Sequence, residues 1–139
     1  MNPCMLHLSI PVKDIASSLV FYGEVLGCKA TRILDDRIDI EFFGHHLVAQ
    51  LSPKEAAHES VKVNGNEFPL RHFGVIVDSA TYERMLARLQ QAKVRFAMTP
   101  KQIFVGTPRE QSVFLVYDPS GNAFEVKGMP APSQVFSAT

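Results

Sequence analysis

Two histidines and a glutamate stand on three apolar, strand-like segments of this 139-residue chain: His7 in Leu6–Val12, His72 in Arg71–Val77 and Glu125 in Ala123–Val126. Two imidazoles and one carboxylate form the ligand set of the facial triad that holds Fe(II) and related divalent ions with positions left open. A half-buried strand carries apolar residues on its inward face. Placing these three polar heads there is costly unless they are hydrogen-bonded or share a charge, and a divalent cation supplies that charge.

Strand parity sorts the neighbours of each residue, because positions two apart share a face. His7, Ser9 and Pro11 oppose Leu8, Ile10 and Val12; His72, Gly74 and Ile76 oppose Phe73, Val75 and Val77; Ala123, Glu125 and Lys127 oppose Phe124 and Val126. The apolar stripes are expected to pack beneath helices. The polar faces, with small neighbours Ser9, Gly74 and Ala123, are expected to line a concave cavity with room for an ion and a ligand. In the first half, His46, Val48 and Gln50 share a face on the last strand. Gln50 reads either as a neutral fourth ligand or substrate-bonding group, or as an ordinary polar strand residue. His45, His46 and His58 read as surface or turn residues. Tyr117 reads as a packed aromatic before an acid or base. Arg109 and Lys101 read as solvated unless their loop folds over the site to meet an anionic substrate. Gln50, Tyr117 and Arg109 are thus the weaker catalytic candidates. No Gly-rich phosphate loop and no dinucleotide fingerprint is present.

The elements that must position these residues follow one pattern used twice. In the first half, the His7 strand leads to Asp14, a helix N-cap candidate. Ile15, Leu19, Phe21, Tyr22, Val25 and Leu26 then recur at helical spacing until Gly27. Strands are predicted at Lys29–Leu34, Arg37–Phe43 and His46–Leu51, with turns at Asp35-Asp36 and Gly44-His45. In the second half, His72–Val77 is followed by a helix capped by Asp78 or Ser79, with Tyr82, Met85, Leu86 and Leu89 on its apolar side. Strands are predicted at Arg95–Met98, Val113–Tyr117 and Ala123–Lys127, the last two joined by the turn Asp118–Asn122. The order predicts a duplicated unit: module one 3–52, a linker 53–70 containing Pro53, Gly65 and Pro69, and module two 71–128. Thr99–Gln111 reads as a long loop. The tail 129–139, with Pro130 and Pro132, reads as partly disordered.

Composition excludes several classes. Hydrophobic residues make up 46%, enough for a real core, and 14 Lys+Arg balance 14 Asp+Glu. Balanced charge argues against nucleic acid or an anionic membrane as the main partner. No run is long enough to span a bilayer. Lys13 and Asp14 interrupt the first apolar stretch too early for a secretory signal, so a cytoplasmic location is expected. Cys4 and Cys28 match no zinc or redox motif and read as reduced thiols.

Three passages together resemble the vicinal-oxygen-chelate superfamily of glyoxalases, bleomycin- and fosfomycin-resistance proteins and extradiol dioxygenases. They are His7–Asp14 running into Ser18-Leu19-Val20-Phe21-Tyr22 and Val25-Leu26-Gly27-Cys28, then Arg71–Val75, and finally Asp118–Glu125. The resemblance covers roughly residues 3 to 128, within a single domain spanning 1–130. It implies an α+β fold of two tandem βαβββ modules, forming a cup-shaped eight-stranded mixed sheet with helices on the outer face. It also implies that His7, His72 and Glu125 are metal ligands, with the family's fourth position near Val48 to Gln50. The implied activity is that of a metal-dependent enzyme in which a divalent ion chelates vicinal oxygens of a small organic substrate. Fe implies oxygenation; Ni, Zn, Mn or Co imply isomerisation or group transfer. Leu115 stands where many ring-cleaving members carry a tyrosine, which counts against ring cleavage. The alternatives are a non-catalytic drug- or antibiotic-binding resistance protein using the same cup, and a structural ion joining the modules. Family members often dimerise, so a homodimer is expected.

Overall fold

The structure, a computed structural model, describes residues 4–55, 60–63 and 66–138. The chain divides into two units, one comprising Met1–His58 with the turn Asp118–Asn122, the other Glu59–Tyr117 with Ala123–Thr139. The strands predicted for the two modules form two separate four-stranded mixed sheets, each with its own helix. The expected α+β fold of two tandem βαβββ modules is thus present, its eight strands divided four and four between two mixed sheets.

Unit one runs β1 (His7–Val12), α1 (Ile15–Leu19), β2 (Lys29–Ile33), β3 (Arg37–Phe42) and β4 (His45–Leu51). Its sheet order is β1-β4-β3-β2, with β1 parallel to β4 and the other pairs antiparallel. Asp14 caps α1 as predicted, its Oδ1 accepting the Ser17 N–H at 2.7 Å. That bond satisfies one of the backbone donors left open at a helix start. α1 continues into a wider π-type segment over Val20–Val25, in which the Leu26 N–H donates to the Phe21 carbonyl. The core is the inward stripe of the strands, Ile10, Val12, Ile38, Ile40, Leu47 and Ala49, against Phe21, Tyr22 and Leu26. Each large side chain so buried contributes about 1.5–3 kcal/mol.

The β3–β4 hairpin turns at Phe43-Gly44 rather than Gly44-His45. Both turn residues have positive φ (49° and 83°), the backbone of a two-residue turn whose twist matches its strands. His45 and His46 therefore both belong to β4, not to the turn.

Unit two carries β5 (Ser60–Val63) and β6 (Asn66–Pro69), a hairpin inside the stretch read as a linker, then β7 (His72–Val77), α2 (Ser79–Gln91), β8 (Phe96–Ile103), β9 (Gln111–Tyr117) and β10 (Ala123–Gly128). The main sheet order is β7-β10-β9-β8, with β7 parallel to β10. Asp78, not Ser79, caps α2 through the Thr81 N–H. Tyr82 and Leu89 of α2, with Phe114, Val116, Phe124 and Val126, form the core. The predicted loop Thr99–Gln111 is shorter than expected, because β8 continues to Ile103 through register shifts. The tail is ordered as a short 3₁₀ turn over Pro132–Phe136, and Met129 is buried. Gly65 and His58 lie outside the described residues. Cys4 and Cys28 remain thiols, and no helix among the described residues is long and apolar enough to cross a membrane.

Candidate metal centre

His72 opens β7, and Glu125 lies on β10. The parallel register sets His72 opposite Ala123 and Gly74 opposite Glu125, so His72 and Glu125 are diagonal neighbours on one face. Gly74 makes that approach feasible: a Cβ there would overlap the Glu125 carbonyl oxygen. His72 Nε2 stands 3.6 Å from Glu125 Oε1. The other ring nitrogen, Nδ1, lies 3.0 Å from the Pro69 carbonyl oxygen. A carbonyl only accepts, so Nδ1 carries the hydrogen and Nε2 of the neutral ring carries the lone pair. A lone pair facing a carboxylate oxygen is electrostatically unfavourable, so the contact calls for a positive charge, supplied either by a proton on Nε2, which makes it an ion pair, or by a metal cation. Metal–ligand bonds of roughly 2.0–2.2 Å to nitrogen and oxygen can bridge such a gap, so the donor pair fits a divalent cation. A backbone carbonyl on the far ring nitrogen is a common outer-shell partner of a metal-bound histidine. Lys127, two residues along the same face, puts its Nζ 3.7 Å from Glu125 Oε1.

The expected burial of all three polar heads holds for Glu125, in part for His72 and not for His7. His7 is exposed, while the side chains of His72 (27% exposed) and Glu125 (15%) are partly and largely buried, so enclosure bears on the pair in unit two and not on His7. The hydrogen-bond and lone-pair arrangement carries the argument.

His7 lies in unit one, on β1 directly opposite His46 on β4. Their Nδ1 atoms are 3.0 Å apart, and the rings are nearly parallel at 28° with centroids 4.9 Å apart. On its far side, His46 Nε2 lies 3.4 Å from Asp39 Oδ1, and Asp39 Oδ2 lies 3.8 Å from Arg32 Nε. The line Asp39–His46–His7 escaped the sequence reading. Its signal was the alternation of Asp39 on one strand and His46 on the next, hidden once the turn was placed one residue late. His45 is separately engaged, its Nδ1 accepting the Leu6 N–H at 3.1 Å. Among the described residues, no three His, Cys, Asp or Glu side chains stand gathered as a ready metal shell.

The remaining candidates fall in three places. Register makes Val48 the unit-one equivalent of Glu125, since Ser9 pairs with Val48 as Gly74 pairs with Glu125; Gln50 matches Lys127. Gln50 is exposed and lines a polar cavity of about 380 Å³ with Ser9, Ile10, Pro11, Ser52 and Glu55. Tyr117 is covered by the Arg95 guanidinium, 4.1 Å from its ring centroid. Arg109 is held over Phe104 at 4.6 Å, an arrangement that engages it within its own loop.

The family model for the Glyoxalase/Bleomycin resistance protein/Dioxygenase superfamily matches residues 5–126. A glyoxalase/bleomycin resistance protein/dioxygenase from Alicyclobacillus acidocaldarius is 30% identical, with a TM-score of 0.80 over 96% of this chain and 97% of that one. A fosfomycin resistance protein from Listeria monocytogenes (13% identity, TM-score 0.71, covering 96% and 98%) and a lactoylglutathione lyase from Agrobacterium tumefaciens (12%, 0.66, 98% and 98%) share the fold. Comparison with curated proteins found no match. With its two βαβββ sheets and a family match running almost end to end, the chain belongs to the Glyoxalase/Bleomycin resistance protein/Dioxygenase superfamily.

Proposed function

We propose that the protein is a metal-dependent enzyme of this superfamily acting on a small organic substrate with two neighbouring oxygens, and that His72, Glu125 and His7 hold the ion. The observation that carries the reading is the His72–Glu125 pair, with Nδ1 committed to the Pro69 carbonyl and Nε2 turned toward the carboxylate across 3.6 Å. When bound, a divalent ion supplies Lewis-acid stabilisation of negative charge developing on a substrate oxygen. His72 binds through Nε2 and is kept from rotating by the Pro69 carbonyl. Glu125 offers the negative charge that selects a cation. Lys127, beside Glu125 Oε1, adds a positive charge able to draw in an anionic substrate group. Gln50 hydrogen-bonds polar substrate atoms entering its cavity. The family precedent extends the proposal to a homodimer, checked by sedimentation.

Metal analysis of protein purified without chelator, followed by Co(II) titration, tests the reading. Saturable uptake is expected, and His72→Ala and Glu125→Gln are each expected to abolish it. Absence of uptake by the unaltered protein sinks the proposal. One observation favours a second reading, a non-catalytic small-molecule binding or resistance protein: Lys127 already supplies Glu125 with a positive charge. On that reading His72→Ala leaves ligand affinity intact.

A further inference from the structure

Asp39 and His46, which no part of the proposed metal set includes, form a directed hydrogen-bond line ending on His7. A carboxylate can only accept, so with both imidazoles neutral the 3.4 Å contact to Asp39 Oδ1 assigns the hydrogen to His46 Nε2. His46 Nδ1 then bears a lone pair. The 3.0 Å contact between the two Nδ1 atoms therefore requires His7 to be the donor, and His7 Nε2 is left with its lone pair. We propose that Asp39 and His46 are positioning residues that lock His7 in its Nδ1–H tautomer, presenting Nε2 as a ready electron-pair donor.

The geometry supports this in three respects. β1, β4 and β3 are consecutive in one sheet, so the three side chains are anchored on paired strands rather than on loops. The near-parallel rings of His7 and His46 restrict rotation about either side chain. Asp39 is itself held, with its side chain largely buried and Arg32 beside Oδ2. The result matches His72 in unit two, where the Pro69 carbonyl takes the Nδ1 hydrogen. Two histidines in differently built surroundings are thus left with the same free nitrogen, each with its other ring nitrogen held by an outer partner, as is common for metal-binding histidines.

This inference rests on the metal reading for its purpose, but its test is made on metal-free protein. Long-range ¹H–¹⁵N spectra, recorded above roughly pH 8 where ordinary imidazoles are neutral, report which ring nitrogen is protonated. His7 is expected in the Nδ1–H form in the unaltered protein and in Asp39→Asn, whose amide oxygen still accepts. In His46→Phe, which keeps the ring contact, and in Asp39→Ala, it is expected to relax toward the solution mixture of tautomers. Co(II) affinity should then fall by about 10–100-fold, the usual effect of losing an outer-shell partner. A His7 protonated at Nε2 in the unaltered protein overturns the inference. So does an unchanged His7 tautomer in both folded variants, as judged by backbone amide spectra. The expected tautomers without metal uptake would leave the inference standing and remove the metal reading instead.

Discussion

The two parallel strand pairs, β1–β4 and β7–β10, use the same register for different ends. In each, a histidine opens the first strand, and the side chain that answers it comes from the second. In β7–β10 the residue directly across from His72 is Ala123, and the answering Glu125 lies one same-face step further, opposite Gly74. In β1–β4 the answer comes on the same rung, as His46 across from His7, and the step further holds Val48 opposite Ser9. One pair therefore makes a donor facing a carboxylate, with a backbone carbonyl behind it. The other makes a donor backed by a side-chain line to Asp39. A duplicated scaffold has kept its backbone pairing while its polar partner has moved by two residues. That shift decides whether the histidine faces a carboxylate or a second imidazole.

Gly74 gives the sharpest way to break the comparison. A Cβ at this position overlaps the backbone of Glu125, and backbone cannot move aside as a flexible side chain can. Gly74→Ala is expected to destabilise unit two by about 3 kcal/mol, the upper range for overpacking, and to separate His72 from Glu125. At the matching rung of unit one, Ser9 is exposed and already carries a side chain, so Ser9→Ala should change stability by less than about 0.5 kcal/mol. Urea unfolding of both variants decides it, and equal effects would show that the two rungs are not built differently.

Much of this arrangement was legible in the chain itself. The caps Asp14 and Asp78, the alternation around His7, His72 and Glu125, and the Asp118–Asn122 turn are local signals. The fold follows from them because each agrees with the burial pattern it implies. Three features were not legible. The β3–β4 turn includes Phe43 at positive φ, which no propensity favours, so the turn reads one residue late and His46 drops to a strand end. The parallel register of β1 on β4 joins residues 39 apart in the chain, and such pairing is set by the packing of whole faces rather than by local sequence. The β5–β6 hairpin is short and polar, so its composition resembles that of a connection. The missed line from Asp39 to His7 follows from the first two features together.

The cores differ as well, through their buried tyrosines. In unit one, Tyr22 donates its hydroxyl hydrogen to Asp118 Oδ2 at 2.7 Å, which helps fix a turn also held by the Asn122 amide on the Pro11 carbonyl. In unit two, Tyr82 packs against Phe114. Tyr22→Phe should cost about 1.5–3 kcal/mol at neutral pH, the usual worth of a hydrogen bond to a charged partner. Both hydroxyls resist ionisation. Burial, then the Asp118 charge, pushes Tyr22 well above the usual phenol range, and burial, then Glu83, pushes Tyr82 up to about 12. The folded protein thus keeps protons that the unfolded chain releases near pH 10. The stability contributed by Tyr82 is complete below about pH 10 and is lost as pH rises toward about 12. Denaturant unfolding at pH 7.5 and at pH 11 should find Tyr22→Phe weaker than the unaltered protein at the lower value and closer to it at the higher. A Tyr22→Phe variant as stable as the unaltered protein at pH 7.5 contradicts this account.

The smallest expected effect concerns the ammonium beside Glu125. Lys127 Nζ stands 3.7 Å from Glu125 Oε1 with its side chain about a third exposed (31%), and pairs of this kind are worth about 0.2–1 kcal/mol. On the proposed metal reading, a divalent ion between His72 and Glu125 would compete with that ammonium for the same carboxylate oxygen and be repelled by its charge. Lys127→Met keeps the apolar stem and removes the charge. It should therefore tighten Co(II) binding by about twofold to fivefold, a gain that shrinks as salt is raised. At the matching position of unit one, Gln50 carries no charge, so Gln50→Met should leave Co(II) affinity unchanged. Tighter binding in Lys127→Met alone would identify the ammonium as a competitor at the Glu125 pair. Weaker binding in that variant would mean that Lys127 orients the carboxylate, and the difference between the two modules would then lie in how Glu125 is held.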